Sequence, residues 1–274
     1  MKLAVSMWSL HRKYFHDGWT VIDFLKHCRA EGIENVELLD VFWRNQAEEL
    51  EQVVDFCATN GITVAAYAVS NDLAQADSVS RAAEVEKIVR GFPIAKRLGT
   101  RIVRVFAGDI KQGMDFDTCF TYIVQGLREA AVIAADYGIT MALENHGRLA
   151  GRSDQVRAII DAVGSPYLRS TVDVGNFILV EQGSVEATRD LTMYAAHVHF
   201  KDLKRSPTSE GYKSLAGVPF LFTAIGDGEV DLVGVVGVLK ERGYDGYASI
   251  EFEGDGDELE GLRKSVAFSR SKLS

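Results

Sequence analysis

Cysteine and proline are both scarce in this chain of 274 residues, with three and four respectively. Cys28, Cys57 and Cys119 are odd in number and no CxxC spacing occurs, which excludes a disulfide framework or a cysteine zinc site as the organising feature. Buried, reduced thiols in a cytoplasmic protein are the expectation. Positive charge is also short: 30 Lys and Arg against 39 Asp and Glu leave a formal charge of −9. That balance argues against a nucleic-acid partner, whose affinity comes from cations neutralising phosphates, and against attraction to an anionic membrane surface. Long apolar runs are missing as well. The first run, residues 3–8, is too short for a signal segment or a membrane span and reads as a strand. No Gly/Ser-rich linker or low-complexity stretch divides the chain, so residues 1–274 are expected to form one domain. Its 47% hydrophobic and 25% charged content is that of a folded globular protein.

What the sequence does have is a repeated alternation. Apolar runs at 3–8, 36–41, 62–69, 101–106, 139–144, 168–173, 195–200 and 247–252 read as strands. Between and after them, helical spacing covers 21–29, 50–58, 79–98, 120–137, 154–163, 185–193, 232–242 and 258–271. Gly32, Gly99, Gly138, Gly164 and Gly243 mark helix ends. A bend or break is expected near Gly91-Phe92-Pro93, and a long loop from 203 to 228. This alternation implies parallel strands joined by right-handed crossovers, and therefore an α/β protein with a (β/α)8 TIM barrel. The rival doubly wound sheet needs a glycine-rich phosphate turn after its first strand, where this chain has Trp8-Ser9-Leu10-His11.

In a TIM barrel the active site lies at the C-terminal ends of the strands. Four consecutive predicted strands end in polar residues: Glu144-Asn145-His146, Asp173-Val174-Gly175-Asn176, His197-Val198-His199-Phe200-Lys201-Asp202 and Ser249-Ile250-Glu251-Phe252-Glu253. Period-two alternation puts Glu144 with His146 on one face, His197 with His199 and Lys201, and Ser249 with Glu251 and Glu253. Glu144, Asp173, His199 and Glu251 thus converge on one mouth. Unpaired carboxylates gathered there would repel, and a divalent cation relieves them. Three oxygens and one imidazole suit Mn, Mg or Co, with Zn less favoured for want of thiolates. A single acid at a strand end is often only a helix cap, but a pattern across four adjacent strands is not accounted for that way. His197 reads as a core histidine rather than a ligand, and Asp202 as a turn residue or the carboxylate behind a metal-bound histidine. The face of Glu37 depends on strand register. Arg104 could meet a substrate oxygen or form a buried ion pair. Trp8, Trp43, Tyr67 and Phe106 could wall the mouth, and Gly226-Asp227-Gly228 reads as a turn and cap.

At these same segments the sequence resembles the xylose isomerase-like TIM barrel superfamily, in its sugar phosphate isomerase/epimerase branch. The resemblance implies that Glu144, Asp173, His199 and Glu251 bind one divalent metal, commonly manganese, and that Glu144 and Glu251 also move protons. The Glu144-Asn145-His146 segment and Arg104-Val105-Phe106-Ala107-Gly108 are similar to 3-dehydroshikimate dehydratases, and His199-Phe200-Lys201-Asp202 to inosose dehydratases. Asn176 stands where the DNA-repair endonuclease branch needs a histidine ligand, which together with the negative charge argues against a nuclease. The implied activity is isomerisation or epimerisation of a sugar or polyol-derived ketone through an enediolate, with His146, Asn176, Lys201, Arg104 and Trp8 as substrate contacts. A dehydratase using His146 or Lys201 to expel a hydroxyl, and a non-catalytic sugar-binding barrel, are the alternatives. A homo-oligomer is left open.

Overall fold

In the computed structural model, which describes residues 1–273, eight parallel strands close a ring. They are β1 (Lys2–Ser6), β2 (Asn35–Leu39), β3 (Thr63–Ala68), β4 (Ile102–Val105), β5 (Thr140–Glu144), β6 (Leu168–Asp173), β7 (Ala195–Phe200) and a last strand, Tyr247–Ile250. Three further strands, β8 (Asp202–Arg205), β9 (Tyr212–Lys213) and β10 (Pro219–Thr223), form a separate antiparallel sheet in the order β8-β10-β9, so the last barrel strand is β11. Val5 of β1 lies opposite Val36 on one side and Ile250 on the other, and this double pairing closes the barrel.

The helices surround the ring. They are α1 (His11–Phe15), α2 (Val21–Ala30), α3 (Gln46–Asn60), α4 (Ser78–Arg97), α5 (Phe116–Tyr137), α6 (Ser153–Val163), α7 (Asn176–Leu179), α8 (Ser184–Leu191), α9 (Leu232–Glu241) and α10 (Glu258–Leu273). Their starts follow capping chemistry. Thr20 and Asp23 form a reciprocal capping box on α2, and Asp77, Asp115 and Asp231 accept the N–H of Ser80, Thr118 and Gly234. On α5, Ile123, Leu127, Ala130, Ala131 and Ala134 recur at helical spacing and are all buried against the barrel. No helix among the described residues is long and apolar enough to cross a membrane. The three cysteines are free and buried, and burial pushes the Cys57 thiol up to about 11, so none is poised as a nucleophile.

Three expectations need correction. First, α4 runs unbroken through Pro93. Ile88, Phe92 and Ala95 on either side of it are buried and hold the helix down. Gly91 serves a close approach instead: a Cβ there would fall 2.7 Å from Val69 Cγ2. Second, the run at 3–8 is not all strand. β1 stops at Ser6, whose Oγ accepts the N–H of Trp8 and starts a 3-10 turn over Met7–Leu10. Third, residues 203–228 are not simply a loop but carry most of the β8-β10-β9 sheet.

That sheet is anchored by Asp202, which orients no histidine. Its buried carboxylate accepts the N–H groups of Leu203, Gly226, Gly228 and Val230. Gly226 has φ +99°, and a Cβ at Gly228 would fall 2.1 Å from Asp202 Oδ1, so this turn requires glycine at both positions. Replacing Asp202 by Ala leaves buried backbone donors without an acceptor. It is expected to cost about 2–4 kcal/mol, read as a lower urea midpoint with an unchanged m-value.

Candidate functional site

Glu144 ends β5, Asp173 ends β6, His199 lies near the end of β7 and Glu251 follows β11. Register explains why they meet. Asp173 pairs with His199, and His199 with Ser249, so these residues share one layer. The Glu251 N–H is fixed on Phe200 O at 2.9 Å. One ligand atom from each of Glu144, Asp173, His199 and Glu251 lies within 4.8 Å of the other three, and all four residues are buried. His199 Nδ1 is 3.8 Å from Glu144 Oε1, 3.9 Å from Asp173 Oδ2 and 3.7 Å from Glu251 Oε2. These are too long for hydrogen bonds. His199 Nδ1 is accordingly buried without a hydrogen-bond partner, and the buried Asp173 Oδ2 has only the Lys201 ammonium beside it, at 3.1 Å in poor hydrogen-bond geometry.

The other ring nitrogen of His199 is held from behind. Its Nε2 lies 3.0 Å from Glu37 Oε2, and the same oxygen lies 2.9 Å from His197 Nε2, which also meets Ser249 Oγ at 3.0 Å. Glu37 reaches across the barrel interior from β2, and it, His197 and Ser249 are wholly buried. Burial raises the Glu37 carboxyl, but the charges of His199 and His197 outweigh it and hold the group well below the usual carboxylate range. Burial likewise lowers the His199 imidazole, while Glu37, Glu251 and Glu144 together pull it well above its ordinary value.

Around this cluster the fixed cations are few. Arg104 Nε is 3.2 Å from Glu144 Oε2, its Nη1 donates to Val69 O, and its guanidinium lies over the Phe106 ring at 3.9 Å. Arg104 thus forms a buried ion pair with Glu144. Lys201 Nζ is 2.6 Å from Glu251 Oε2, 2.8 Å from Glu253 Oε1 and 3.1 Å from Asp173 Oδ2. Five carboxylates (Glu37, Glu144, Asp173, Glu251 and Glu253) thus face two permanent cations. Like charges about 4 Å apart repel by about 4 kcal/mol at an effective permittivity near 20. The imbalance falls on Asp173. Burial, with Glu144 and Glu251 adding to it against the pull of Lys201, raises its carboxyl to about 6. Burial raises Glu144 too, but His199 and Arg104 overcome it and hold that carboxyl below the usual range.

Asp173 combines the two roles that an acid at a strand end can have. Its Oδ1 caps the short α7 by accepting the N–H of Gly175 and Asn176 at 2.9 and 3.0 Å, while Oδ2 points into the cluster. Asn176 Nδ2 donates to Asn145 O at 3.0 Å and to Glu144 Oε1 at 3.3 Å. Asn145 exchanges two hydrogen bonds with the Asp173 backbone. His146 stands beside the cluster, its ring 4.8 Å from that of Phe106, in a cavity of about 240 Å³ shared with Asn176, Lys201 and Phe222. Trp8 lies just past the early end of β1, and in the 3-10 turn it stacks on His11 at 4.8 Å and meets Phe42 at 6.0 Å. Tyr67 is a core residue whose hydroxyl accepts from Trp43 and Gln46. Glu37 and Asn145 were given no role from the sequence. An acid inside the apolar run Val36-Glu37-Leu38-Leu39 was the available signal, but a register shift against β3 at Val36/Glu37 hid its direction.

Three carboxylates and one imidazole oriented by a buried acid, with inward-facing atoms lacking hydrogen bonds, fit a divalent cation. Fold and site together define a TIM barrel with a candidate metal centre at its C-terminal face. The profile of the xylose isomerase-like TIM barrel matches residues 25–272, and the chain belongs to that family. An inosose dehydratase of Clostridium perfringens is 24% identical over 139 residues, 48% of this chain and 47% of that protein. The chain spans about half the length of the curated relatives it matches. Among solved structures, the IolI protein "with a binding zinc atom" aligns with a TM-score of 0.82 at 17% identity, covering 100% of this chain and 98% of that one. An L-ribulose 3-epimerase aligns at 0.80 and 17%, covering 100% and 95%. At such identities the structural likeness is one of fold.

The raised Asp173 carboxyl makes a prediction for chelator-treated protein. An acid whose folded value lies above its unfolded one contributes stability that is full below about pH 4 and is lost as the pH rises through 6. Asp173→Asn keeps the Oδ1 cap and removes the trapped charge. It is expected to stabilise the chelated protein by about 2–3 kcal/mol at pH 8 and by much less at pH 4, read from thermal melts at both pH values.

Proposed function

We propose that the chain is a divalent-metal-dependent enzyme that isomerises or epimerises a sugar or sugar-derived ketone by moving a proton next to the carbonyl. The observation that carries this is the entry of two glutamates, Glu144 and Glu251, into one buried cluster from separate strands, Glu144 paired with Arg104 and Glu251 with Lys201, which Asp173 and Glu253 share. Two carboxylates on different sides of a reacting carbon are what removal and return of a proton require. Glu144, Asp173, His199 and Glu251 would hold the cation, manganese being our first choice. When bound it supplies Lewis-acid polarisation of the carbonyl. Arg104 and Asn176 fix the Glu144 carboxylate, and Lys201 fixes Glu251.

A second reading, a dehydratase, is favoured by His146, an imidazole on the cavity wall beside Lys201 that could protonate a departing hydroxyl. The partial similarity to inosose dehydratases supports it too. The first proton removal is the same, and the β-hydroxyl then leaves as water. Incubating metal-loaded protein in D2O with ketoses, 3-dehydroshikimate and inosose separates the readings. Exchange of the proton next to the carbonyl without loss of water supports the first, and an enone absorbance supports the second. Neither signal with any substrate would leave a non-catalytic barrel.

Glu144→Gln and Glu251→Gln are each expected to lower turnover by about a hundredfold to ten-thousandfold with the fold intact. Asp173→Ala or His199→Ala should lower metal content sharply, and full Mn occupancy of either variant by elemental analysis would sink the ligand assignment. Glu37→Gln should weaken divalent-metal affinity by about tenfold to a hundredfold in chelator competition, because His199 loses its orienting acid.

A further inference from the structure

The cavity beside the cluster carries both buried and exposed charged groups. Its wall includes the buried Asn176 and Lys201 and the partly buried Glu253, together with two exposed cations, Arg148, from the turn after β5, and Lys213, from β9. Lys201 is already neutralised by Glu251 and Glu253. Arg148 and Lys213 are exposed, and among the described residues neither side chain has an ion pair or hydrogen bond. Nearby cations are different: Arg152 pairs with Asp154 and Arg205 with Glu229. In a chain with a net charge of −9, one carboxylate, Glu253, lines this cavity together with Lys201, which reaches on to Asp173 and Glu251 of the cluster, while two free cations stand at its exposed rim. At about 240 Å³ it falls below the ~300–1,000 Å³ of drug-sized sites and suits a molecule of monosaccharide size.

We propose that the substrate carries an anionic group, carboxylate or phosphate, at the end remote from its reacting carbonyl, and that Arg148 and Lys213 hold that group. This rests on the reading of the Glu144–Asp173–His199–Glu251 cluster as the carbonyl-activating centre. A guanidinium matches either anion with two parallel hydrogen bonds, and a lysine adds a point charge. Arg148 belongs to a barrel turn and Lys213 to the inserted sheet, so a bound anion bridges the two. The wall also carries Asn176 and the Tyr212–Phe222 ring pair, whose centroids are 4.7 Å apart. Such a wall accommodates the hydroxylated body of a sugar.

The test uses three probes with the metal-loaded protein: a six-carbon 2-ketose, its terminal phosphate ester and the same chain ending in a carboxylate. Calorimetric titration should show at least one anionic probe binding about tenfold or more tighter than the neutral ketose, and which one wins tells phosphate from carboxylate. The preference should shrink at high ionic strength, because both cations are exposed. In the Arg148→Gln, Lys213→Gln double variant it should vanish while neutral binding persists, and Lys213→Glu should reverse it. The proposal is overturned by equal binding of all three probes, by a preference that survives the double variant, or by no binding of any probe. Solvent deuterium exchange in the same samples keeps the two readings apart. Exchange without discrimination removes the anion site and leaves the reaction, whereas discrimination without exchange does the reverse.

Discussion

Carboxylates crowded into one buried space are the constraint around which the mouth of this barrel is arranged. Glu144, Asp173 and Glu251 cannot all be ionised there without help, since each close pair costs a few kcal/mol against a total stability of only about 5–15. Arg104 relieves Glu144 and Lys201 relieves Glu251. Asp173 has only a shared claim on Lys201 and carries the residual strain as a raised carboxyl. A site that is uncomfortable without a cation is one that can bind it well, and stability given up here has its use there.

A second interaction decides what the cluster can hold. His199 faces two sets of acids, Glu37 through Nε2 and the cluster through Nδ1. Because Glu37 fixes Nε2, Nδ1 is the nitrogen left to face inward. Glu37 can do this only because the ring is closed. β2 and β7 are not neighbours, and the acid spans the interior to reach His199 and His197. The layer beneath the mouth is therefore polar, where a barrel usually packs Val, Ile and Leu, and hydrogen bonds through the two Nε2 atoms join Glu37, His197, His199 and Ser249 within it.

These two features differ in how visible they were in the sequence. Period-two alternation and strand order were enough to bring Glu144, Asp173, His199 and Glu251 together, because strand ends in a parallel barrel point to one face. Glu37 was not legible, since one extra residue in β3 shifts the register at that position. Neither was the end of β1: a serine that caps a 3-10 turn looks no different in the sequence from one that continues a strand, so the alternation past Ser6 does not give the direction of Trp8. The β8-β10-β9 sheet was hidden for a similar reason. Its strands are only four, two and five residues long and partly exposed, too short for alternation to rise above loop composition.

The segment that joins barrel to insertion shows how closely these parts are coupled. In His199-Phe200-Lys201-Asp202, His199 and Lys201 turn inward to the carboxylates, while Asp202 gathers four backbone N–H groups of the insertion. The ammonium that neutralises Glu251 is thus one residue away from the anchor of the sheet that presents Lys213. Gly175 packs against the Lys201 stem so tightly that a Cβ would fall 2.9 Å from its Cγ, which leaves the lysine little room to move on its own. Displacement of the inserted sheet would therefore be felt at Lys201 and through it at Glu251 and Asp173, so the exposed rim of the cavity and the charge balance of the cluster are set by the same short stretch of chain.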